Sequence, residues 1–441
     1  MKALVFDKSK YQWESSRGFD LAEVPKPKIE KDDDLVIKVH YAGVCGSDKG
    51  IWYRTAFRDQ ILGSIDAESQ TSPSIPPHAL GRESKTGGVE QERPLSSAAG
   101  GALSPRQERA IMKKQFRIIG HEFFGEVVEI GKAVKNIKKG DFVSCESHVV
   151  DNKCFQCLKG QKNVCTNEKI LGISQDGGFA EFVKVPAHIV WKTDTSKIRP
   201  EVAAVQEPFG NAVHAASKVD LKGKTLAIFG LGPIGLFLLL IAKGMGAKEI
   251  IGVEPNPVAI EMAKRLGIDF VIPLNTSPHP SLVRRGTKSI PLLDKERVGE
   301  VRGNAHNPAV TDEIMKITNG VGVDVSFEMA GFNDSFNNAI FATRRGGNVI
   351  LFGIKTGDFV LEDYNRLIVR GLTLHAIIGR QIWKTWETTR KLLEDPKNKI
   401  QEQIYKIILN EGRGTILPIS EYTKERFEKM IQEHPKILLQ F

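Results

Sequence analysis

Between Thr225 and Glu254 the chain runs strand, glycine turn, apolar helix and strand in immediate succession, and few folds accept that order. Leu226-Ala227-Ile228-Phe229 leads into Gly230-Leu231-Gly232-Pro233-Ile234-Gly235. Ile234 to Gly246 then has a helical period, and Glu249 to Glu254 reads as a second strand. A Gly-x-Gly-x-x-Gly spacing alone is weak. Set between strand and helix, with an acid about twenty residues on, it reads as the phosphate-binding turn of a doubly wound α/β sheet. Gly230 would make the tight turn, Gly232 would let a pyrophosphate approach the backbone, and Gly235 would let the helix pack closely. The helix N-terminus adds partial positive charge. A carboxylate at Glu254 would accept hydrogen bonds from a ribose diol and repel a 2′-phosphate, so NAD is expected rather than NADP.

The rest of the chain, 441 residues and 41% hydrophobic, is long enough for a second packed domain. Residues 1 to about 60 and the stretch from Ile118 alternate short apolar and polar runs punctuated by Gly and Pro, as in Leu35-Val36-Ile37-Lys38-Val39, a β-rich texture. From about Val202 strands alternate with helical periods, and near Leu374 short strands return. The expected organisation is a β-rich unit over residues 1–200 and 374–441, with a nucleotide-binding domain at 201–373 inserted in it. Two stretches break the pattern. Residues 63–113 and 278–307 are polar and Gly/Pro/Arg-rich with little apolar period, and both read as insertions forming flexible surface loops.

Composition excludes some functions. The net charge of +9 could suggest nucleic acid, but the basic residues are spread without an aromatic-interleaved stripe, so no nucleic-acid partner is expected. The apolar run Leu226 to Ala242 nearly reaches bilayer length, yet Gly230, Gly232, Pro233 and Gly235 interrupt it, so no membrane segment is expected. Met1 to Asp7 reads as a first strand and not a signal peptide. Few cysteines, most of them grouped, fit a reducing cytoplasm.

Three of the five cysteines lie in Asp151-x2-Cys154-x2-Cys157-x7-Cys165. Thiols this close either hold a metal or form disulfides. Three leave one unpaired, and the four-point spacing suits tetrahedral zinc better, with Asp151 supplying an oxygen. Elsewhere, Gly43-Val44-Cys45-Gly46-Ser47-Asp48, Gly120-His121-Glu122 and Gln206-Glu207-Pro208-Phe209-Gly210-Asn211 each offer ligand chemistry near a strand or domain boundary. A cysteine, a histidine and a glutamate could surround one zinc and leave a position open for a reactant.

This ordered set resembles the zinc-dependent medium-chain dehydrogenases over nearly all of the chain outside the two insertions. Within that family the resemblance is greatest to the members that oxidise L-threonine. It is carried by Glu207-Pro208-Phe209-Gly210-Asn211-Ala212-Val213-His214 and Gly379-Arg380-Gln381-Ile382-Trp383-Lys384-Thr385-Trp386. Ser144-Cys145-Glu146-Ser147-His148 and Asp176-Gly177-Gly178-Phe179-Ala180-Glu181 agree with it. The resemblance implies a GroES-like catalytic domain beside a Rossmann domain, a homotetramer, and two zinc sites. Cys45, His121 and Glu122, with Glu207 able to approach, match the catalytic zinc ligands; Asp151, Cys154, Cys157 and Cys165 match the structural lobe. Ser47 matches the start of a proton relay and His148 a histidine near the substrate, with Arg380 a further candidate for substrate recognition. Ile234, Phe352-Gly353-Ile354 and Ile377-Ile378 join Gly230, Gly232, Gly235 and Glu254 around the coenzyme.

The implied reaction is oxidation of a secondary alcohol with hydride transfer to NAD, L-threonine giving 2-amino-3-oxobutyrate. The alternatives are a polyol or diol dehydrogenase of the same family and a catalytically silent nucleotide-binding relative. Three positions depart from the family pattern: Gly50 stands where a relay histidine is usual, Ala259 where a coenzyme-contacting arginine is common, and Asp151 in place of a cysteine.

Overall fold

The computed structural model describes residues 1–71, 114–274, 306–354 and 358–441, with the side chains of 70 and 71 left aside. Among the described residues three sheets make the β-rich unit, the smallest being the antiparallel pair His148–Val149 and Lys169–Ile170. Lys2–Asp7 pairs antiparallel with Asp20–Glu23 on one side and Phe116–Ile118 on the other. The larger sheet is built on Asp34–Gly43, whose buried positions recur along nearly its whole length, as expected of a strand covered on both faces. It pairs with Glu122–Ile130, Phe182–Pro186 and the C-terminal strand Leu438–Gln440. Leu35, Ile37, Val39, Phe123, Val127 and Phe179 form its core with Trp52 and Phe427 from flanking helices.

The nucleotide-binding unit is a six-stranded, all-parallel sheet. Its strands lie in the order Phe270–Pro273, Glu249–Glu254, Thr225–Phe229, Val323–Glu328, Thr343–Leu351, Thr373–Ala376. The direction of strand addition reverses beside Thr225–Phe229, and the crevice at the carboxyl ends of the strands opens there. Parallel strands buried on both faces need continuous apolar runs, which Leu226, Ala227, Ile228 and Phe229 supply at 0–1% exposure. The helix Pro233–Gly244 packs its apolar residues into the same core.

Two expectations shift. Thr373–Ala376 is the edge strand of the parallel sheet, so the chain returns to the β-rich unit beyond it and not at 374. Its half-exposed pattern carries none of the apolar continuity that marks the inner strands. The stretch expected to be structureless from 63 is helical as far as Thr71, within Arg58–Thr71. Ile61 and Ile65, one helical turn apart, are fully buried there. The buried Arg117 binds this helix through Ser64 Oγ at 2.9 Å and Glu68 Oε1 at 2.8 Å. The remainder of that stretch, 72–113, lies outside the described residues, as do residues 278–305 of the second. His306 and Asn307 are described. Asn307 caps the helix Pro308–Ile317, accepting from Ala309 N at 3.1 Å.

Candidate active site

Strand pairing assembles the first cluster. Gly43 lies opposite Glu122 in the register of the larger sheet, so Cys45, two residues past one strand end, meets His121 and Glu122 at the start of the other. Cys45 is the N-cap of the helix Gly46–Trp52. Gly120 before them adopts φ +92°, and a Cβ there would stand 2.1 Å from Phe179 Cδ1. Only glycine fits. One ligand atom from each of Cys45, His121 and Glu122 lies within 4.8 Å of the others.

This cluster is incomplete as a set of protein groups. Glu122 Oε1, His121 Nδ1 and Asp48 Oδ1 are buried without a hydrogen-bond partner, and a buried orphan of this kind costs about 1–3 kcal/mol. Glu122 Oε2 is held by Lys436 Nζ, which also donates to Val44 O at 3.0 Å. Burial pushes the Glu122 carboxyl up, against the opposing pull of Lys436. Burial depresses His121, but Asp48 and Cys45 more than offset it and leave the imidazole well above its ordinary value. His121 Nε2 lies 3.2 Å from Ser47 Oγ, while Nδ1 is 3.5 Å from Asp48 Oδ1. A thiol, an imidazole and a carboxylate with a second carboxylate behind the imidazole fit a zinc ion.

Glu207 stands apart from these three. Its Oε1 accepts from Ser147 Oγ at 2.6 Å and pairs with Arg380 Nη2 at 2.9 Å. Arg380, expected as a substrate contact, is instead a buried clamp. It binds both oxygens of Glu146 and donates to Asn211 Oδ1 at 2.8 Å. Two buried carboxylates need a guanidinium between them, and Arg380 itself is only 2% exposed. Despite burial, Arg380 draws the Glu146 carboxyl down to about 2, and Trp386 Nε1 donates to it at 2.9 Å. His148 lies beside this wall, with Nδ1 2.6 Å from Glu168 Oε2.

In the second cluster Asp151, Cys154, Cys157 and Cys165 also bring one ligand atom each within 4.8 Å. All five cysteines are free thiols. Asp151 Oδ1 accepts from Lys153 N at 2.8 Å and Cys154 N at 3.0 Å, and Oδ2 accepts from Asn167 Nδ2 at 2.6 Å. These bonds, led by that from Asn167, hold the Asp151 carboxyl far below its usual range. The backbone N–H of Cys157 lowers Cys154 to about 7, whereas burial pushes Cys157 up to about 12. A cation would reverse the second shift by binding the thiolate.

The expected coenzyme residues gather at the carboxyl edge of the parallel sheet. Gly230 takes φ +99°, and a Cβ on Gly235 would lie 2.1 Å from Gly230 O, whereas one on Gly232 would meet nothing within 4 Å. Gly232 caps the helix Pro233–Gly244, leaving open space before the helix N-terminus, with Ile234 half-buried in its first turn. Glu254 ends its strand at 8% exposure. Its oxygens accept from Leu231 N at 2.6 Å and Asn256 N at 2.9 Å, and burial raises its pKa. Phe352, Gly353 and Ile354 follow the strand Thr343–Leu351, and Ile377 and Ile378 follow Thr373–Ala376. Ile354 and Ile378 are exposed, Ile377 buried. Ala259 is buried.

Four participants went unassigned from sequence. Asp48 lay inside a quoted motif without a role. Glu168 follows Cys165 with no motif of its own. Lys436 is 314 residues from Glu122, and no local pattern announces it. Glu328, whose Oε1 accepts from Gly331 N at 2.7 Å, lines a cleft with Gly353 and Leu351 at the sheet edge.

The chain matches the alcohol dehydrogenase GroES-like domain family over residues 99–195 and the zinc-binding dehydrogenase family over residues 299–395. It is 38% identical over 281 residues to L-threonine 3-dehydrogenase of Pyrococcus horikoshii, covering 64% of this chain and 72% of that one. With the protein of the same name from Bacillus velezensis it shares 31% over 395 residues, covering 89% and 88%. Among solved structures, galactitol-1-phosphate dehydrogenase from Escherichia coli aligns over all of both chains with a TM-score of 0.68 at 20% identity. The 2R,3R-butanediol dehydrogenase from Bacillus subtilis aligns over 100% of this chain and 99% of its own, with a TM-score of 0.64 at 24% identity. A GroES-like sheet unit, a parallel nucleotide-binding sheet, two clusters of zinc-ligand chemistry and relatives of this similarity agree, and the chain belongs to the zinc-dependent medium-chain dehydrogenases.

Proposed function

We propose that this enzyme oxidises L-threonine to 2-amino-3-oxobutyrate with NAD as hydride acceptor, using a zinc ion held by Cys45, His121 and Glu122. The observation that carries the reading is the ligand cluster with the orphaned buried oxygen of Glu122, in a chain whose relatives named L-threonine 3-dehydrogenase share up to 38% identity. Zinc bound there would supply a Lewis acid that makes the substrate alkoxide accessible near neutral pH.

The chain's own groups do the remaining work. Asp48 Oδ1 faces His121 Nδ1 and fixes the ring so that Nε2 points into the cluster. Ser47 Oγ, 3.2 Å from Nε2, is placed to pass the substrate hydroxyl proton outward. Gly50 has no side chain to receive it, so the proton leaves through solvent. Lys436 engages Glu122 Oε2 and leaves Oε1 for the cluster. Glu207, held by Ser147 and Arg380, bounds the site. The coenzyme reading is supported by the open N-terminus of Pro233–Gly244 and by the buried Glu254 carboxylate, which opposes a 2′-phosphate. The structural zinc lobe is Asp151, Cys154, Cys157 and Cys165.

The test is NADH appearance with L-threonine, sorbitol and 2,3-butanediol as substrates. L-Threonine should be preferred by at least about tenfold in kcat/KM, a difference of ~1.4 kcal/mol in transition-state binding. Equal or reversed rates would exclude the assignment to threonine.

A further inference from the structure

The cysteine lobe touches the coenzyme edge at two points. Asn163 Nδ2, in the short turn Lys162–Val164 just before Cys165, donates to Ile378 O at 3.0 Å. Ile382 packs onto Val150, Cys154, Cys157 and Cys165. Both partners lie in residues 377–383, which link the edge strand Thr373–Ala376 to the helix Lys384–Glu394 and begin with the candidate coenzyme residues Ile377 and Ile378. The middle of this link is fastened from another side. Gly379 O accepts from His214 Nδ1 at 2.9 Å, and Arg380 is locked onto Glu146 and Asn211. Ile378 is 42% exposed, and among the described residues Asn163 supplies the hydrogen bond to its carbonyl.

The two sides of this contact differ in what orders them. The link rests on a six-stranded parallel sheet and a buried clamp. The lobe has only the helix Phe155–Leu158 and the turn Lys162–Val164, set between the two-residue strands His148–Val149 and Lys169–Ile170. Its buried cluster is Val150, Cys157 and Cys165, while Phe155 and Leu158 face outward at 69% and 75% exposure. So little apolar burial does not offset the conformational entropy of the segment. The lobe's shape therefore depends on what its four ligand groups hold, since metal binding in such a site is also local folding. Asn163 stands between the ligands Cys157 and Cys165 and is placed by them. We infer that Asn163 is a positioning residue for the coenzyme edge: through Ile378 O, a filled lobe holds the coenzyme loop in place and an empty lobe releases it. The inference rests on the reading of the lobe as a zinc site and couples its occupancy to NAD affinity. Such coupling is reciprocal, so bound coenzyme must tighten the lobe's hold on its metal by the same factor.

The experiment titrates NADH, followed by its fluorescence, into the full-length wild type, Asn163→Ala, Cys157→Ser and their combination, with the zinc content of each measured. Asn163→Ala should raise the NADH Kd about fivefold, the scale of one lost hydrogen bond, and leave KM for L-threonine within about twofold. Cys157→Ser, with the lobe emptied, should raise the NADH Kd at least as much. Adding Asn163→Ala to it should change the value by less than about twofold, because the bond is already lost. The reciprocal arm uses Cys45→Ala, in which the lobe's ion is the one counted, and it stands even where Cys157→Ser does not fold. Saturating NADH should tighten that zinc about fivefold in competition with a chelator, and the effect should vanish when Asn163→Ala is added. An unaltered NADH Kd in Asn163→Ala, losses that multiply in the double variant, or zinc affinity indifferent to NADH would overturn the inference. A wild type whose lobe holds no zinc would remove the lobe reading as well. A filled lobe with an unaltered NADH Kd in Asn163→Ala would remove this inference alone.

Discussion

Asp48 shows how much one side chain behind the ligands can decide. It is fully buried, its Oδ2 accepts from Cys45 N at 2.8 Å, and its Oδ1 faces His121 Nδ1 at 3.5 Å. One carboxylate thus orients two of the three candidate ligands. Asp48→Asn should lower zinc affinity or activity by about 10–100-fold, the usual consequence of altering a group behind a ligand, and chelator competition measures it. At the coenzyme edge, Glu254→Gln keeps the shape and removes the charge that opposes a 2′-phosphate. The NAD:NADP ratio of kcat/KM should fall by about tenfold (~1.4 kcal/mol), and an unchanged ratio would place discrimination elsewhere. Cys45, His121 and Glu122 were legible because each follows a glycine-marked strand end in a short motif. Lys436 was not, because its partner is far away in sequence and its own surroundings, Pro435 and Ile437, say nothing about charge.

The helix Pro233–Gly244 and its turn were readable for a steric reason. Gly235 has no room for a Cβ against Gly230 O, so a glycine appears at that fixed offset. Gly235→Ala should cost about 1–3 kcal/mol as an overpacking substitution, seen as a lower melting temperature together with weaker NADH binding. The helix Arg58–Thr71 was illegible because two buried isoleucines and an ion-pair network fix it, with no apolar stripe. Thr373–Ala376 misled in the opposite way: an edge strand of the parallel sheet carries half-exposed positions and resembles the short strands of the other unit. The grouping of Asp151 with Cys154, Cys157 and Cys165 was legible from spacing, but the bonds that tie up Asp151 were not. Asp151→Cys should slow loss of the lobe's zinc to a chelator, since thiolate is the softer and better-matched donor.

Arg380 ties distant parts of the molecule together. It joins Glu146, 234 residues earlier, to Glu207 and Asn211 on the helix Gln206–Ala216. Replacing it with leucine would leave two buried carboxylates uncompensated, at a cost of about 3–5 kcal/mol. Glu146 is depressed in the folded state, to about 2 from an ordinary 4.5. Its stabilising contribution is therefore complete above pH 4.5 and is lost as pH falls through about 2. Without the guanidinium, burial raises Glu146, so the melting-temperature gap between wild type and Arg380→Leu should begin to shrink on acidification above pH 4.5 and go on shrinking towards about 2. Calorimetry across that range measures it. The sequence marked Arg380 by its motif but not by its partners, because burial and long-range pairing are properties of the folded whole.

The central claim is that chemistry resides at Cys45, His121 and Glu122 and not at the cysteine-rich lobe. Elemental analysis of purified wild type and Cys45→Ala, paired with the L-threonine oxidation rate of the same samples, tests it directly. Wild type should hold about two zinc ions per chain. Cys45→Ala should hold about one and lose activity by about a thousandfold or more, with the melting temperature nearly unchanged. A variant that keeps its activity, or an inactive one that keeps both zinc ions, would contradict the account.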